Sequence, residues 1–383
     1  MLAPRWIKVV RDLSSHRFRT LLVVLSIAVG VFSVAVVMGA REVLLREFAT
    51  GYAWARAAAA TFNTQRPFDE ALLRRVQDRP EVAAAEARTY VPVRFRMLDD
   101  EGNPASGWKT MSIQVVDDLR RTTVERIAIS ESTRIPSDGE ILIEQSAQQT
   151  GDWEPGKSVE LELPSGESAT FRVAGFAHDL NAVPSRFVGA TTAFTTRENL
   201  PLLEMPEGYN MLLVSFEGQG LTRAKASEMA GAIRDEVLEP SGVVVARMAV
   251  PEPGSHFLGD IFKAVSLLLL ALGILSLLLS GFLVVNTVSA LMVQHVRQVG
   301  IMKAVGGRTQ QVARMYFAMV TVYGVLAVLV GIPAGAWAGH GFTEFAAGML
   351  NFRISDYTPP WWVIGLEVAV GLLVPVLAAL APV

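Results

Sequence analysis

The sequence predicts an integral membrane α-helical protein with four transmembrane helices and a large α+β extracytoplasmic domain between the first and second. Three observations predict it. Hydrophobic residues make up 51% of the 383 residues and mean hydropathy is +0.36, too apolar for an ordinary soluble chain. Four runs approach or exceed the roughly 20 apolar residues that cross a bilayer core. Between the first two runs lies a long stretch of ordinary polarity with mixed helical and alternating patterns. The formal net charge of -3 lacks the basic excess that phosphate contacts require, which excludes a dedicated nucleic-acid binder. With no cysteine, disulfides and thiolate metal sites are excluded.

In chain order, residues 1–19 form an amphipathic segment carrying Arg5, Lys8, Arg11, Arg17 and Arg19. Residues 20–40 follow as the first span. This run is longer than the apolar region of a signal peptide, and Met38 stands where a small residue would precede cleavage, so it reads as a retained anchor. The second, third and fourth spans are residues 261–293, 315–339 and 361–383. The connection 294–314 carries Arg297, Lys303, Arg308 and Arg314 without an acidic residue. By the positive-inside rule the N-terminus and this connection face the cytoplasm. Residues 41–260 and the loop 340–360 then lie outside, with Trp361 and Trp362 as an interfacial belt.

Residues 41–260 read as one composite domain, with a strand-rich insertion at about 125–200 between two halves of an α/β subdomain. FDEALLRRVQ (68–77) has Leu72, Leu73 and Val76 at helical spacing and leads into the strand YVPVRFRM. Later come the strand MLLVSFE, a helix over residues 221–237 with Thr222 as N-cap, and the returning strand GVVVARMAV. Pro164-Ser165-Gly166 reads as a hairpin turn inside the insertion.

Gly151-Asp-Trp-Glu-Pro-Gly156-Lys157-Ser158 satisfies the phosphate-loop pattern G-x-x-x-x-G-K-[ST]. That chemistry needs backbone N–H groups and a helix N-terminus aimed at phosphate. Here VELEL follows, alternating like a strand, and Asp152, Glu154 and Pro155 are unsuited to phosphate. The motif therefore reads as a turn between strands. His16, His178, His256, His295 and His340 show no ligand spacing, and His178-Asp179 reads as a solvated or turn-stabilising pair. No catalytic residue or metal site is expected.

The segment from Val296 to Arg308, VRQVGIMKAVGGR, is amphipathic, and Ile301, Met302, Ala304 and Val305 are more apolar than a simple connector needs. Gly306-Gly307 should break the helix. This segment resembles the signature of the FtsX-like permease family, the membrane subunits of MacB- and LolC-type ABC transporters. Its usual form is close to R-E-I-G-I-(LMR)-(KR)-A-(IL)-G-A, and it follows the second span. Gln298 replaces the usual Glu, and Gly307 a common Ala. The resemblance implies that Arg297, Gln298, Gly300, Ile301, Lys303, Ala304, Val305, Gly306, Gly307 and Arg308 form a coupling helix. It implies docking of a separate cytoplasmic ABC ATPase that supplies ATP and Mg, with no cofactor bound by this chain. It further implies a second permease subunit or second half, contact with membrane lipids, an extracytoplasmic partner protein, and a place in the bacterial inner membrane. The chain would be half of a longer permease or a trimmed one. Work on a lipoprotein, lipid, peptide or drug would be done by mechanotransmission, motion relayed from ATPase to outer domain. Regulation of an extracellular cell-wall hydrolase and a membrane-anchored receptor are the rival readings. Glu367, about 9 Å below Trp361 at ~1.5 Å per residue, is the candidate intramembrane functional residue, placed near enough to the interface to reach water.

Overall fold

The computed structural model describes residues 17–218, 220–252, 259–304, 308–349, 351–352, 354 and 356–380. It divides into a helical unit (residues 1–47, 261–349 and 353–383) and an outer unit (residues 48–260 and 350–352).

In the outer unit, β1 (Ala60–Phe68) leads to α2 (Glu70–Gln77), α1 being the long preceding helix Arg17–Ala55. Asp69 caps α2 by accepting the Leu72 N–H at 2.9 Å, and Glu70 in the first turn with Arg74 and Arg75 in the last complements the helix dipole. Next come β2 (Val82–Met97), β3 (Lys109–Val116), β4 (Ile127–Ile129), β5 (Glu140–Glu144), β6 (Ser158–Glu162), β7 (Ser168–Asp179), the one-turn α3 (Ser185–Val188) and β8 (Ala190–Thr196). The unit closes with β9 (Tyr209–Phe216), α4 (Arg223–Ile233) and β10 (Val245–Ala249).

The strands form two bodies joined by β2. One is an antiparallel sheet in the order β10-β1-β9-β2. Its chain order β1-α2-β2-β9-α4-β10 is the β-α-β-β-α-β of a ferredoxin-like split βαβ. Leu72 and Val76 of α2 and Ala226, Ala230 and Ile233 of α4 pack with Phe62, Leu212 and Val214 of the sheet. The other body is inserted between β2 and β9. The C-terminal half of β2 pairs with β3, then β8, β5, β7 and β6 follow, and β6 pairs back onto β2 at Arg94–Met97. This ring is a closed six-stranded barrel. Alternation along each strand sends Val91, Val93, Phe95, Met111, Ile113, Leu161, Phe171 and Val173 to its interior.

The insertion expected at about residues 125–200 thus begins earlier, because β3 and the second half of β2 belong to the barrel. The Pro164–Gly166 turn joins β6 to β7, closed by Gly166 N–H to Leu163 O at 2.9 Å, with Gly166 at φ +89°. Thr222 caps α4 through the Lys225 N–H at 3.4 Å. The expected helix 221–237 is interrupted, since α4 ends at Ile233 and Arg234–Leu238 is a π-turn.

The helical unit contains α1, α5 (Gly259–Ala304), α6 (Thr309–Met349) and α7 (Trp361–Leu380). Among the described residues three helices are long and apolar enough to cross a membrane, Thr20–Ala55, Ala264–Leu283 and Ala313–Met349. The apolar stretch of α7, Trp361–Leu377, is shorter. Three helices exceed the expected spans, α5 by continuing past residue 293 to Ala304. α1 continues past residue 40, where Val43 and Leu44 are buried. α6 starts at Thr309 and runs to Met349, so residues 309–314 are helix rather than connector and 340–349 helix rather than loop. No proline interrupts 340–349, Ala347 is buried, and the Thr343 hydroxyl donates to Gly339 O at 2.6 Å.

Glycines set the packing of α1, α6 and α7. A methyl group at Gly331 would lie 2.9 Å from Val31 Cβ, one at Gly335 3.0 Å from Phe32 O, and one at Gly324 2.5 Å from Gly371 O. Gly331, Gly335 and Gly339 recur every fourth residue, the spacing by which small residues let apolar helices approach closely. Between helices, Arg46 of α1 donates to the carbonyls of Thr358 and Asp356 at 2.8 and 3.0 Å.

Candidate functional site

The segment with the family signature is the end of α5, which runs unbroken through residues 296–304. Val296 and Ile301 are 64% and 57% exposed, and Gly300 and Ala304 are exposed beside them. An apolar surface of this kind at a helix end needs a partner or a lipid surface. The side chains of Arg297, Gln298 and Lys303, and all of Val305, Gly306 and Gly307, lie outside the described residues. The expected glycine break falls there. Exposed Arg308 begins the next helix, its N–H donating to Gln311 Oε1 at 3.3 Å as in a capping box.

The phosphate-loop pattern takes a different shape from a nucleotide site. Ser158 opens β6, a strand, where a phosphate loop would open a helix. Lys157 is paired with Asp152 and lies 3.7 Å from Glu154, so its charge is answered within the turn. Gly151 makes room for the Trp153 indole, because a methyl group there would come within 2.8 Å of Nε1. Trp153 in turn stacks at 5.2 Å on Phe95 and closes one end of the barrel.

Where the two bodies meet, β2 carries Arg88, a residue the sequence reading passed over. Its side chain is fully buried, donating to Gln114 Oε1, Val124 O and Glu125 O at 2.8 Å and to Glu86 Oε1 at 2.9 Å. One guanidinium therefore fastens β2 to β3 and to the loop before β4. Asp179 is near it and is 1% exposed, so of the two readings of His178-Asp179 the solvated one is overturned and the turn-stabilising one agrees with the structure. The strand end that carries Asp179 turns into the domain, and Asp179 Oδ1 accepts the Asn181 N–H at 2.9 Å. Burial, and then the charge of Glu125, push Asp179 up to about 7 against the pull of Arg88. Burial raises Glu125 as well. Glu144 goes the other way. Burial opposes its ionisation, but His178 Nδ1 at 3.6 Å and hydrogen bonds from Ser146 and from Asn351 at 2.8 Å hold it below the usual carboxylate range.

A cleft of about 800 Å³ is lined by Asp69, Glu70, Arg75, Asp117, Arg197 and Glu207, with Tyr209 at its floor. The Tyr209 hydroxyl donates to Asp117 Oδ2 at 2.6 Å, and the Arg197 guanidinium lies 4.7 Å over its ring. In the helical unit Glu367 is 3% exposed and has no ion-pair partner among the described residues. It is enclosed by helices, contrary to the expectation that it reaches water. Among the described residues no group of acidic and histidine side chains could hold a metal ion.

Comparison with known proteins finds a family model for the C-terminal part of the chain. Residues 270–383 match the model described as the FtsX-like permease C-terminal domain, which takes in most of α5 and all of α6 and α7. Among solved structures, the periplasmic region of MacB from Actinobacillus actinomycetemcomitans aligns at TM-score 0.31 and 9% identity, covering 54% of this chain and 90% of that one. The extracellular domain of the noncanonic ABC-type transporter YknZ from Gram-positive bacteria aligns at TM-score 0.31 and 12% identity, covering 51% of this chain and 100% of that one. No curated protein matches.

Proposed function

We propose that this chain, whose residues 270–383 are those of an FtsX-like permease C-terminal domain, is the membrane subunit of an ABC transporter that works by mechanotransmission. A separate cytoplasmic ATPase binds ATP and Mg and docks on residues 297–308. Its closure moves the end of α5, and the helix carries that motion toward the outer domain, which acts on a lipoprotein, lipid, peptide or drug. Four spans, a cytoplasmic N-terminus and pairing with a second permease subunit or half complete the reading.

The observation that carries it is the continuity of α5. Its 46 residues make a rod of about 70 Å at ~1.5 Å per residue, against a bilayer core of ~30 Å. A helix that only crossed the membrane would need less than half that length. The excess emerges with exposed Ile301 and Ala304 at the signature, where a rigid element can receive a push.

Two experiments test the reading. Cysteines placed at Lys157 and Lys303 should react with impermeant reagents from opposite sides of the membrane; reaction from one side only rejects the orientation. Ala304→Glu should abolish ATPase capture in a pull-down while the chain still inserts, because an unpaired charge buried at a contact costs several kcal/mol. Full capture by that variant would reduce the segment to a positively charged connector.

A further inference from the structure

At the end of the barrel that Trp153 closes, a shallow mouth lies outside the indole, and the permease reading does not use it. The C-terminus of β2 and the N-termini of the parallel pair β3 and β8 meet there, and a cavity of about 330 Å³ opens among them. Its floor is Phe95, Met97 and Trp153. Barrel mouths are a recurrent place for small ligands, whose sites run from about 300 to 1,000 Å³. This one has room for one chain rather than two.

The polar lining has one sign. Lys109 and Arg186 stand on the wall, and no carboxylate lines the cavity. Neither cation has an ion-pair partner among the described residues, whereas nearby Lys157, Arg94 and Arg96 are all paired with acids. Thr191 contributes a hydroxyl, but no Asn, Gln, Asp or Glu is present to read the edge of a nucleotide base. The apolar surface also continues outward. Of residues 185–191, the two that do not line the cavity or lead into its strand are Phe187 and Val188, which are 48% and 54% exposed.

We propose that the barrel mouth binds a single-chain anionic amphiphile, its acyl chain over Phe95 and Trp153 and its carboxylate or phosphate held by Lys109 and Arg186. Half-buried Met97 and the accessible edges of Phe95 and Trp153 supply apolar contact, and two cations without acidic partners, Lys109 exposed at the rim and Arg186 half-buried, favour an anionic headgroup over a neutral one. The site is built wholly from the outer unit, so it stands or falls separately from ATPase docking.

Photo-crosslinking of the full chain in phosphatidylcholine nanodiscs tests it, with adducts mapped by mass spectrometry. Three diazirine probes of equal chain length are used: a fatty acid, a lysophosphatidic acid and a fatty alcohol. An acidic probe should label residues 95–97, 150–153 or 185–191, and the alcohol should label them about ten-fold less. If one of the two acids labels, the headgroup is identified. Lys109→Glu with Arg186→Glu should lower mouth labelling about ten-fold, as expected for two reversed, partly screened contacts, with labelling of α5 unchanged as the internal control. Ala190→Trp, which fills the cavity without altering charge, should remove it too. Absence of mouth adducts with both acids, equal labelling by the alcohol, or full labelling of the charge-reversed variant would overturn the proposal.

Discussion

The outer unit and the helical unit hold together by different means. In the outer unit cohesion comes from inside, where the barrel and the sheet each enclose large apolar side chains such as Phe95, Phe171 and Phe62, all nearly or fully buried. The helical unit adds close backbone approach to that arrangement. Its α1, α6 and α7 meet through Gly331, Gly335, Gly324 and Gly371, and Val23, Ile27, Tyr316, Met319 and Tyr323 are buried in one cluster beside them, while Leu329, Trp337 and Leu377 are exposed. In α5 the described side chains of the apolar window Ala264–Leu283 are mostly exposed, Leu267 and Leu278 at 68% and 65%, while Gly273 is buried where a methyl group would come within 3.2 Å of Val37 of α1. Water drives the first kind of packing, because burying apolar surface is favourable only where the alternative is aqueous. In lipid the apolar side chain has nothing to gain by hiding, and close van der Waals contact decides instead. Apolar side chains thus face inward in the outer unit and both inward and outward in the helical one.

That contrast predicts separable damage. Arg88→Ala should have the largest effect, about 3–5 kcal/mol, because it strands Glu86 and three acceptors in a buried junction. Hydrogen exchange should rise in β2, β3 and residues 122–125 while amides of α6 stay protected; protection unchanged in β2 would refute the assignment. Gly335→Leu should do the converse at about 1–3 kcal/mol, through overpacking against Phe32 and Ala35. Exchange should then rise in α1 and α6, with the barrel untouched. If either variant loosened both units equally, the two would not be independent.

A smaller effect separates them by pH. Asp179 is held at about 7 in the fold against 3.8 for the free side chain, so the folded state favours its neutral form. Its stabilising contribution is complete below about 3.8, declines as the pH rises, and is gone above about 7. Glu125 acts in the same direction. Thermal stability of the outer unit should therefore fall as the pH rises from about 4 to about 7, and Asp179→Asn should flatten that slope. A slope left intact by the substitution would place the titration elsewhere. Smallest of all, Lys157→Ala should leave the melting temperature essentially unchanged, since its ion pairs are on the surface and screened by solvent, and should leave ATP turnover of an assembled complex unchanged.

Much of this architecture was legible because its signals are local. Leu72, Leu73 and Val76 at helical spacing in FDEALLRRVQ, Thr222 before the later helix, the Pro164–Gly166 turn and the apolar runs each announce an element in its own residues. What stayed hidden depends on partners far along the chain. β1 contains Asn63, Thr64, Gln65 and Arg66, and it is a strand because β9 and β10 flank it. β3 is likewise fixed by β2 and β8. Closure of the barrel needs the β6–β2 pairing, which no periodicity reveals. Asp179 looked solvated because it ends a strand, but the burying elements come from elsewhere in the sequence. Two signals could have been read: the four-residue recurrence of Gly331, Gly335 and Gly339, and Trp153 beside Gly151, an odd residue for a phosphate loop. The segment proposed as the coupling helix was singled out by its motif alone, and in the structure its Ile301 is exposed.

The central claim is that α5 transmits force as a rigid rod from residues 297–308 to the outer domain. Spin labels at Ser165, in the exposed β6–β7 turn, report the distance between two outer domains in the complex reconstituted with its ATPase. That distance should change on adding ATP and Mg. Ser289→Pro should abolish the change while ATPase docking and hydrolysis persist, because proline breaks the helix between the two ends. An ATP-linked change that survives the broken helix, or no change in the native complex, would contradict the account.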